Sequence, residues 1–350
     1  MPTLLDRLDP VAEATMRNLI AGAVRTQAIY AIAKLGIADR LSLGPRSAEE
    51  LAQSAGAHAP TLRRVLRYLA AAGIFVENGD GRFALNAAAE YLQTAHPRSM
   101  RPSAIRAGEG MWNVAAGLLA AVQSGSVPYE SVHGTSFFDR TDAREFAARM
   151  SGSTAGLAES IATLESIARA RRVVDVGGGN GALLLRLLEL RPELEGVIFD
   201  RPATIDAVRE SVAGRCELVA GDFFESVPRG DVHLLSWILH DWDDEQALRI
   251  LRNVGPSVVI IEVPLPERAE PAATNAGVLA DPWTIDMQML LLTGGRERTV
   301  GQYRELLEKA GFAVAGVTPL PSRRGATAIE AHSLPVRLRE TDAESARSQE

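Results

Sequence analysis

The stretch Val173-Val-Asp-Val-Gly-Gly-Gly-Asn-Gly-Ala182 decides the fold. A short β-branched run ends in four glycines within five positions, and a leucine-rich helical pattern over 181–191 follows. That is a strand, a tight turn and a helix N-terminus, an arrangement in which backbone N–H groups face a bound ligand. Outward from it, apolar runs at 172–176, 196–199, 216–220, 231–236 and 257–263 alternate with helical patterns at 181–191, 203–213 and 243–253. The alternation predicts a mostly parallel α/β sheet covered on both faces, with its ligand site at the carboxyl ends of the strands. A helix at 299–310 and two last strands, in GFAVAGVTPL and GATAIEAHS, complete it.

Three successive strand ends carry groups suited to a nucleoside. Gly177, Gly178 and Gly179 allow close approach to the backbone. Asp200, 23 residues after Gly177, ends the second strand, where a carboxylate accepts hydrogen bonds from ribose hydroxyls. The third strand ends in Gly221-Asp222-Phe223-Phe224, a carboxylate and rings able to grip an adenine. Gly177-x-Gly179-x-x-Ala182 also fits a dinucleotide fingerprint, so a nicotinamide oxidoreductase stands as an alternative, although it has no need of the third element.

Among the six histidines, His233 falls inside a strand and His332 near the end of the last one, which suits structural roles. His240 follows strand 231–236 and precedes a helix that Asp243 caps with Gln246 at N3, so it belongs at the ligand edge. Imidazole is the side chain whose ordinary pKa suits a general base near neutral pH. Asp241 beside it reads as local capping. No metal-ligand spacing is present.

Residues 1–95 read differently, as helices dense in Ala and Leu. Met16, Leu19, Ile20, Ala23, Ile29, Ile32 and Leu35 recur at helical spacing and give apolar faces suited to a partner. Ser47 with Glu50 forms a capping box, a helix runs over 60–73, and Ile74–Glu77 with Arg82–Leu85 predicts a hairpin. That is a winged helix, which raises a ligand-responsive regulator as a second alternative. Against it, residues 39–90 hold six basic and six acidic side chains, and the whole chain 37 Lys+Arg against 44 Asp+Glu, net −7. A nucleic-acid reader shows a basic footprint instead.

The 350 residues suit about two domains, with 46% hydrophobic and 23% charged residues. Expected boundaries are 1–95, a helical connection 96–170, the sheet domain 171–335, and a charged disordered tail 336–350. Cys216 is alone, no signal peptide is evident, and Arg25 and Lys34 interrupt the apolar stretch 19–38. These features predict a cytoplasmic protein with neither nucleic acid nor membrane as partner.

In order along the chain, VVDVGGGNG, FDRP, GDFFESVP, LHDWDDEQALRILRN and GGRERT resemble the class I S-adenosylmethionine-dependent small-molecule O-methyltransferases of plant caffeate type and bacterial antibiotic tailoring. The resemblance spans residues 15–333; the glycine motif is superfamily-wide, whereas HDW followed by GGRERT is specific to this family. It implies a Rossmann-like sheet whose last strand is antiparallel, and a winged-helix domain that forms a homodimer and helps close the pocket. It also implies S-adenosyl-L-methionine as cofactor, with Gly177 and its neighbours at the methionine part, Asp200 at the ribose and Asp222 with Phe223 at the adenine. Trp242 takes the adenine side, and Ser236 stands where plant relatives carry a cofactor-contacting lysine. His240 becomes the general base, flanked by Glu262 and Glu297, one or both orienting it. Acceptor walls fall to Trp112, Phe146, Met150, Met289 and Leu292, with Phe137, Phe138 and Met287 nearby and Asp286 as a structural acid. Such a wall implies a small aromatic acceptor, phenolic, quinone-type or fused heteroaromatic. Residues 266–283 form a Pro/Ala-rich loop suited to a lid.

Overall fold

Capping and glycine stops set the helices of the first half. The computed structural model describes residues 9–140, 155–212, 214–269, 281–322 and 325–335. It divides into two compact units, Met1–Ala116 and Gly117–Glu350. In the first, Asp9 caps the helix Pro10–Ile20, and a second helix, Gly22–Lys34, begins after a break at Ala21 in the pattern over 15–35. Ser47 and Glu50 form the expected capping box on Ala48–Ala55, and Gly56 ends that helix with φ 66°. Helix Ala59–Ala71 buries Leu62, Leu66 and Leu69 against Ile32, Ile37 and Leu51.

Strands β1 (Val76–Glu77) and β2 (Phe83–Ala84) pair antiparallel, shorter than the hairpin expected over 74–77 and 82–85. The reason is local: Phe75 takes φ 75°, and its amide turns to donate to Asn86 Oδ1 at 3.2 Å. Arg63 and Arg67 of the wing-side helix pair with Glu49 and Glu77. The first helix buries none of its residues within this unit, and Val11, Met16, Leu19 and Ile20 are exposed.

The second unit is built on a seven-stranded sheet. Its strands are β3 (Arg172–Val176), β4 (Glu195–Asp200), β5 (Glu217–Ala220), β6 (Val232–Ser236), β7 (Ser257–Glu262), β8 (Phe312–Pro319) and β9 (Thr327–Ser333). Their order is β5-β4-β3-β6-β7-β9-β8. The first five run parallel, and β9 lies antiparallel to both β7 and β8. Alternate residues feed two cores, one on each face. Val173, Ile198, Leu234 and Ile261 pack on one side; Val174, Val197, Leu235 and Ile260 pack on the other. Every residue of β7 is buried, including the Glu262 that ends its apolar run. A carboxylate in such a place requires partners, and the site below supplies them.

Candidate active site

Strand order reverses at β3, with β4 on one side and β6 on the other. The crevice such a reversal leaves at the carboxyl ends holds a cavity of about 800 Å³. Gly177, Gly178, Gly179, Asp200, Gly221, Asp222, Phe223, Ser236 and Trp242 all line it. Gly177 has φ 70°, and a Cβ there would stand 2.5 Å from Ile238 Cδ1; one on Gly221 would stand 2.4 Å from the Phe199 ring. Asp200 is fixed by two backbone amides, Oδ2 accepting from Gly179 at 2.9 Å and Oδ1 from Arg201 at 2.7 Å. Asp222 accepts from the Phe224 amide at 2.8 Å. Trp242 lies edge-on to Phe224 at 4.8 Å and stacks with Phe138 at 5.5 Å, building an aromatic wall. Behind the glycines Asp175 is buried; burial and the nearby Asp200 push its carboxyl up to about 7. The Ser236 hydroxyl is buried without a hydrogen-bond partner among the described residues.

Past β6 the chain makes one 3₁₀ turn, Leu239–Asp241, that presents His240. Glu262 seats this turn from the end of β7: its Oε1 accepts from the amides of Ile238, Leu239 and His240 at 3.2, 2.9 and 3.3 Å. The His240 Nδ1 hydrogen-bonds Glu297 Oε1 at 2.8 Å and lies 3.4 Å from Glu262 Oε2. Glu297 is therefore the direct hydrogen-bond partner of the ring, whereas Glu262 bonds the backbone of the turn. The other ring nitrogen, Nε2, lies 3.8 Å from Asp241 Oδ1, on the side of a residue that lines the cavity. Asp241 does not cap; Asp243 does that, accepting from the Gln246 amide.

Burial drives the imidazole toward its neutral form, but Glu262, Asp241 and Glu297 outweigh it and raise His240 to about 10. Burial likewise raises Glu262 to about 8 and Asp241 to about 6. Groups this close titrate as a set, so at neutral pH the cluster holds protons in common. The same His240, Glu262 and Glu297 atoms lie within 4.8 Å of one another, as ligands of a cation do. The 2.8 Å contact is nonetheless a hydrogen bond, shorter than the roughly 3.4 Å between ligands that a tetrahedral ion with bonds of about 2.1 Å imposes.

Other expected residues fall elsewhere. Met289 and Leu292 are half-buried in helix Pro282–Leu292, from whose end Thr293 reaches the cavity wall. Asp286 is structural, accepting from the Glu297 amide at 2.8 Å. Phe137 and Phe138 line the cavity. Trp112 belongs to the first unit, in helix Gly110–Ala115. Phe146, Met150 and most of the 266–283 loop lie outside the described residues. His233 is structural, with Nε2 2.9 Å from the Pro228 carbonyl and burial pushing its pKa down. Sequence reasoning missed Trp237, which lines the cavity with φ 59°, and Arg298, buried inside the GGRERT segment. Its position between Glu297 and the Thr299 cap was the available signal.

Residues 116–313 match the sequence model of the O-methyltransferase domain, and residues 17–95 that of the O-methyltransferase dimerisation domain. The chain belongs to the O-methyltransferase family. It is 38% identical to the phenazine O-methyltransferase PhzM of Lysobacter antibioticus over 91% of this chain and 95% of that one. It is 36% identical to a mitomycin biosynthesis 6-O-methyltransferase of Streptomyces lavendulae over 88% of this chain and 91% of that one. Among solved structures it resembles the neocarzinostatin-biosynthesis O-methyltransferase NcsB1, described in complex with S-adenosylmethionine and 2-hydroxy-5-methyl naphthoic acid. There the TM-score is 0.75 and the identity 31%, over 89% of this chain and 96% of that one. These matches support neither the regulator nor the nicotinamide oxidoreductase. Among the described residues, no helix is long and apolar enough to cross a membrane.

Proposed function

We propose that this O-methyltransferase acts on a hydroxyl of a small aromatic secondary metabolite, with S-adenosylmethionine as donor and His240 as general base. The observation that carries the proposal is the 2.8 Å hydrogen bond from His240 Nδ1 to the buried Glu297. It fixes the ring and its tautomer and leaves Nε2 for a substrate proton. The cavity fits the cofactor: Gly177, Gly178 and Gly179 line it with bare backbone, and the Ser236 hydroxyl is an orphan in the wall. Asp200 offers lone pairs beyond those used by two amides, and Phe223, Phe224 and Trp242 offer ring faces and edges for a base. When bound, the cofactor supplies a methyl group on a sulfonium for in-line displacement.

The residues of the chain manage the proton. The three carboxylates around His240 raise its basicity against burial, which favours transfer of the acceptor's proton to Nε2. Glu297 then stabilises the imidazolium that forms, and Glu262 keeps the turn in place through its three amide bonds. The first unit carries the dimerisation match, and the exposed apolar face of helix Pro10–Ile20 suits a second copy of the chain.

His240→Ala tests the reading. Cofactor affinity by calorimetry stays near wild type, while turnover of phenols and N-hydroxy heterocycles, read as a one-methyl mass gain, falls by about 10²–10⁴-fold. Wild-type turnover in the variant overturns the mechanism.

A further inference from the structure

We infer that Arg298 is a positioning residue for methyl transfer, fastening the turn that carries His240 to the loop that carries Glu297. The inference rests on His240 as the base proposed above. Arg298 is 1% exposed, and its guanidinium is fully engaged. Nη1 donates to the Leu239 carbonyl at 2.8 Å and Nη2 to the Trp242 carbonyl at 2.8 Å. Those two residues bracket His240 and Asp241. Nε donates to Asp244 Oδ1 at 2.9 Å, just inside the following helix, and Nη1 reaches the Arg296 carbonyl at 3.4 Å.

Its own main chain is held equally firmly. The Leu265 amide donates to the Arg298 carbonyl at 3.0 Å, tying the loop to the segment after β7. Three residues earlier, Gly295 packs so close that a Cβ would stand 2.2 Å from the His240 carbonyl. Glu297 is the neighbour of Arg298 in sequence, so the separation between turn and loop that Arg298 sets is the separation across which His240 and Glu297 bond. An ion pair alone does not account for this burial, because Asp244 is itself largely exposed. The carbonyls do, and only a planar fork with five donors serves both of them and Asp244 together; an ammonium is a point donor.

The test is a double-mutant cycle between Arg298→Lys, which keeps the charge, and Glu297→Gln. Arg298→Lys is expected to hold S-adenosylmethionine within about twofold of wild type and to lower kcat by about tenfold or more. The acid limb of its kcat–pH profile moves to lower pH, as in Glu297→Gln, because the imidazolium loses the same partner. The double variant is then little worse than Glu297→Gln alone. Unchanged kcat, or losses that multiply with an unmoved pH limb, overturn the role of Arg298. His240→Ala run alongside separates the two failures: if it turns over normally the general-base reading falls, and if it is impaired only the Arg298 inference is at stake. Thermal midpoints identify any loss from misfolding, and if Arg298→Lys does not fold, Asp244→Asn, which frees one anchor of the same fork, replaces it in the cycle with the same expected pH shift.

Discussion

Replacing Glu297 with Gln removes one charge from the site with little change in volume. At 2.8 Å, a unit charge pair at an effective dielectric of 20 interacts by about 6 kcal/mol, a ceiling on the effect. Gln keeps a carbonyl oxygen for His240 Nδ1, so the loss is the difference between a charge-assisted and a neutral hydrogen bond, about 1–2 kcal/mol. That difference predicts a kcat about 5–30-fold lower. It also predicts a pH effect of defined sign. Glu297 is one of three carboxylates that raise His240 to about 10 against burial. Removing it lowers the apparent pKa of the base by about one unit. In the proposed mechanism the working form is the neutral imidazole, whose fraction grows as pH rises through that pKa, so the acid limb moves to lower pH. Initial rates at saturating cofactor and acceptor, from about pH 6 to about pH 10, measure both quantities. An unchanged kcat, or an acid limb displaced upward, would refute the assignment of Glu297 as the orienting partner.

Two further outcomes follow from the cavity. Asp200→Ala removes an oxygen pair already preorganised by the Gly179 and Arg201 amides, and should weaken S-adenosylmethionine binding by about 10–100-fold, as charge-assisted hydrogen bonds imply; an unchanged dissociation constant in calorimetry contradicts the ribose assignment. Asp175 is raised from 3.8 to about 7, so the folded state binds its proton more tightly, and the associated stability is present at acid pH and lost as pH rises through about 7. Asp175→Asn should therefore raise the unfolding free energy relative to wild type at pH about 8, by up to roughly 4 kcal/mol, with little difference at pH about 3; a variant less stable than wild type at the higher pH opposes this sign.

The sheet was legible because its signals are local and redundant. Runs such as Val173–Val176 and Ser257–Val263 lie between turn residues and capped helices, and strands end within a residue or two of expectation. The positions proposed for the cofactor meet at one cavity for the same reason, since they lie at strand ends and the topology brings strand ends together. What sequence could not show is pairing across long separations. Glu262 and Glu297 both flank His240 in the resemblance, yet their unequal duties depend on which oxygen meets the turn amides and which meets the ring. Arg298 resembles any loop arginine until its fork is seen on the carbonyls of Leu239 and Trp242. The winged-helix hairpin shortened because one residue, Phe75, takes a left-handed conformation that no propensity scale assigns to phenylalanine.

Charge decides the choice of ligand more sharply than the glycine motif does. The cavity wall holds Glu130, Asp139, Asp175, Asp200, Asp222 and Asp241, with Arg201 as the one cationic side chain among the described lining residues. Even with Asp175 half-protonated near pH 7, that field is strongly negative. A dinucleotide brings two phosphate charges, and each placed about 6 Å from a carboxylate at an effective dielectric of 20 meets roughly 3 kcal/mol of repulsion. A sulfonium and an ammonium meet attraction of the same size. The glycine turn alone is compatible with either ligand, because helix N-terminal amides accept phosphate or carboxylate alike. The acids around it are not. Six acids against one base in the lining, in a chain of net −7, favour a cationic methyl donor over a pyrophosphate. Asp241 belongs to this wall and is also one of the three carboxylates that raise His240, so in the proposed mechanism one charge serves both recognition and chemistry.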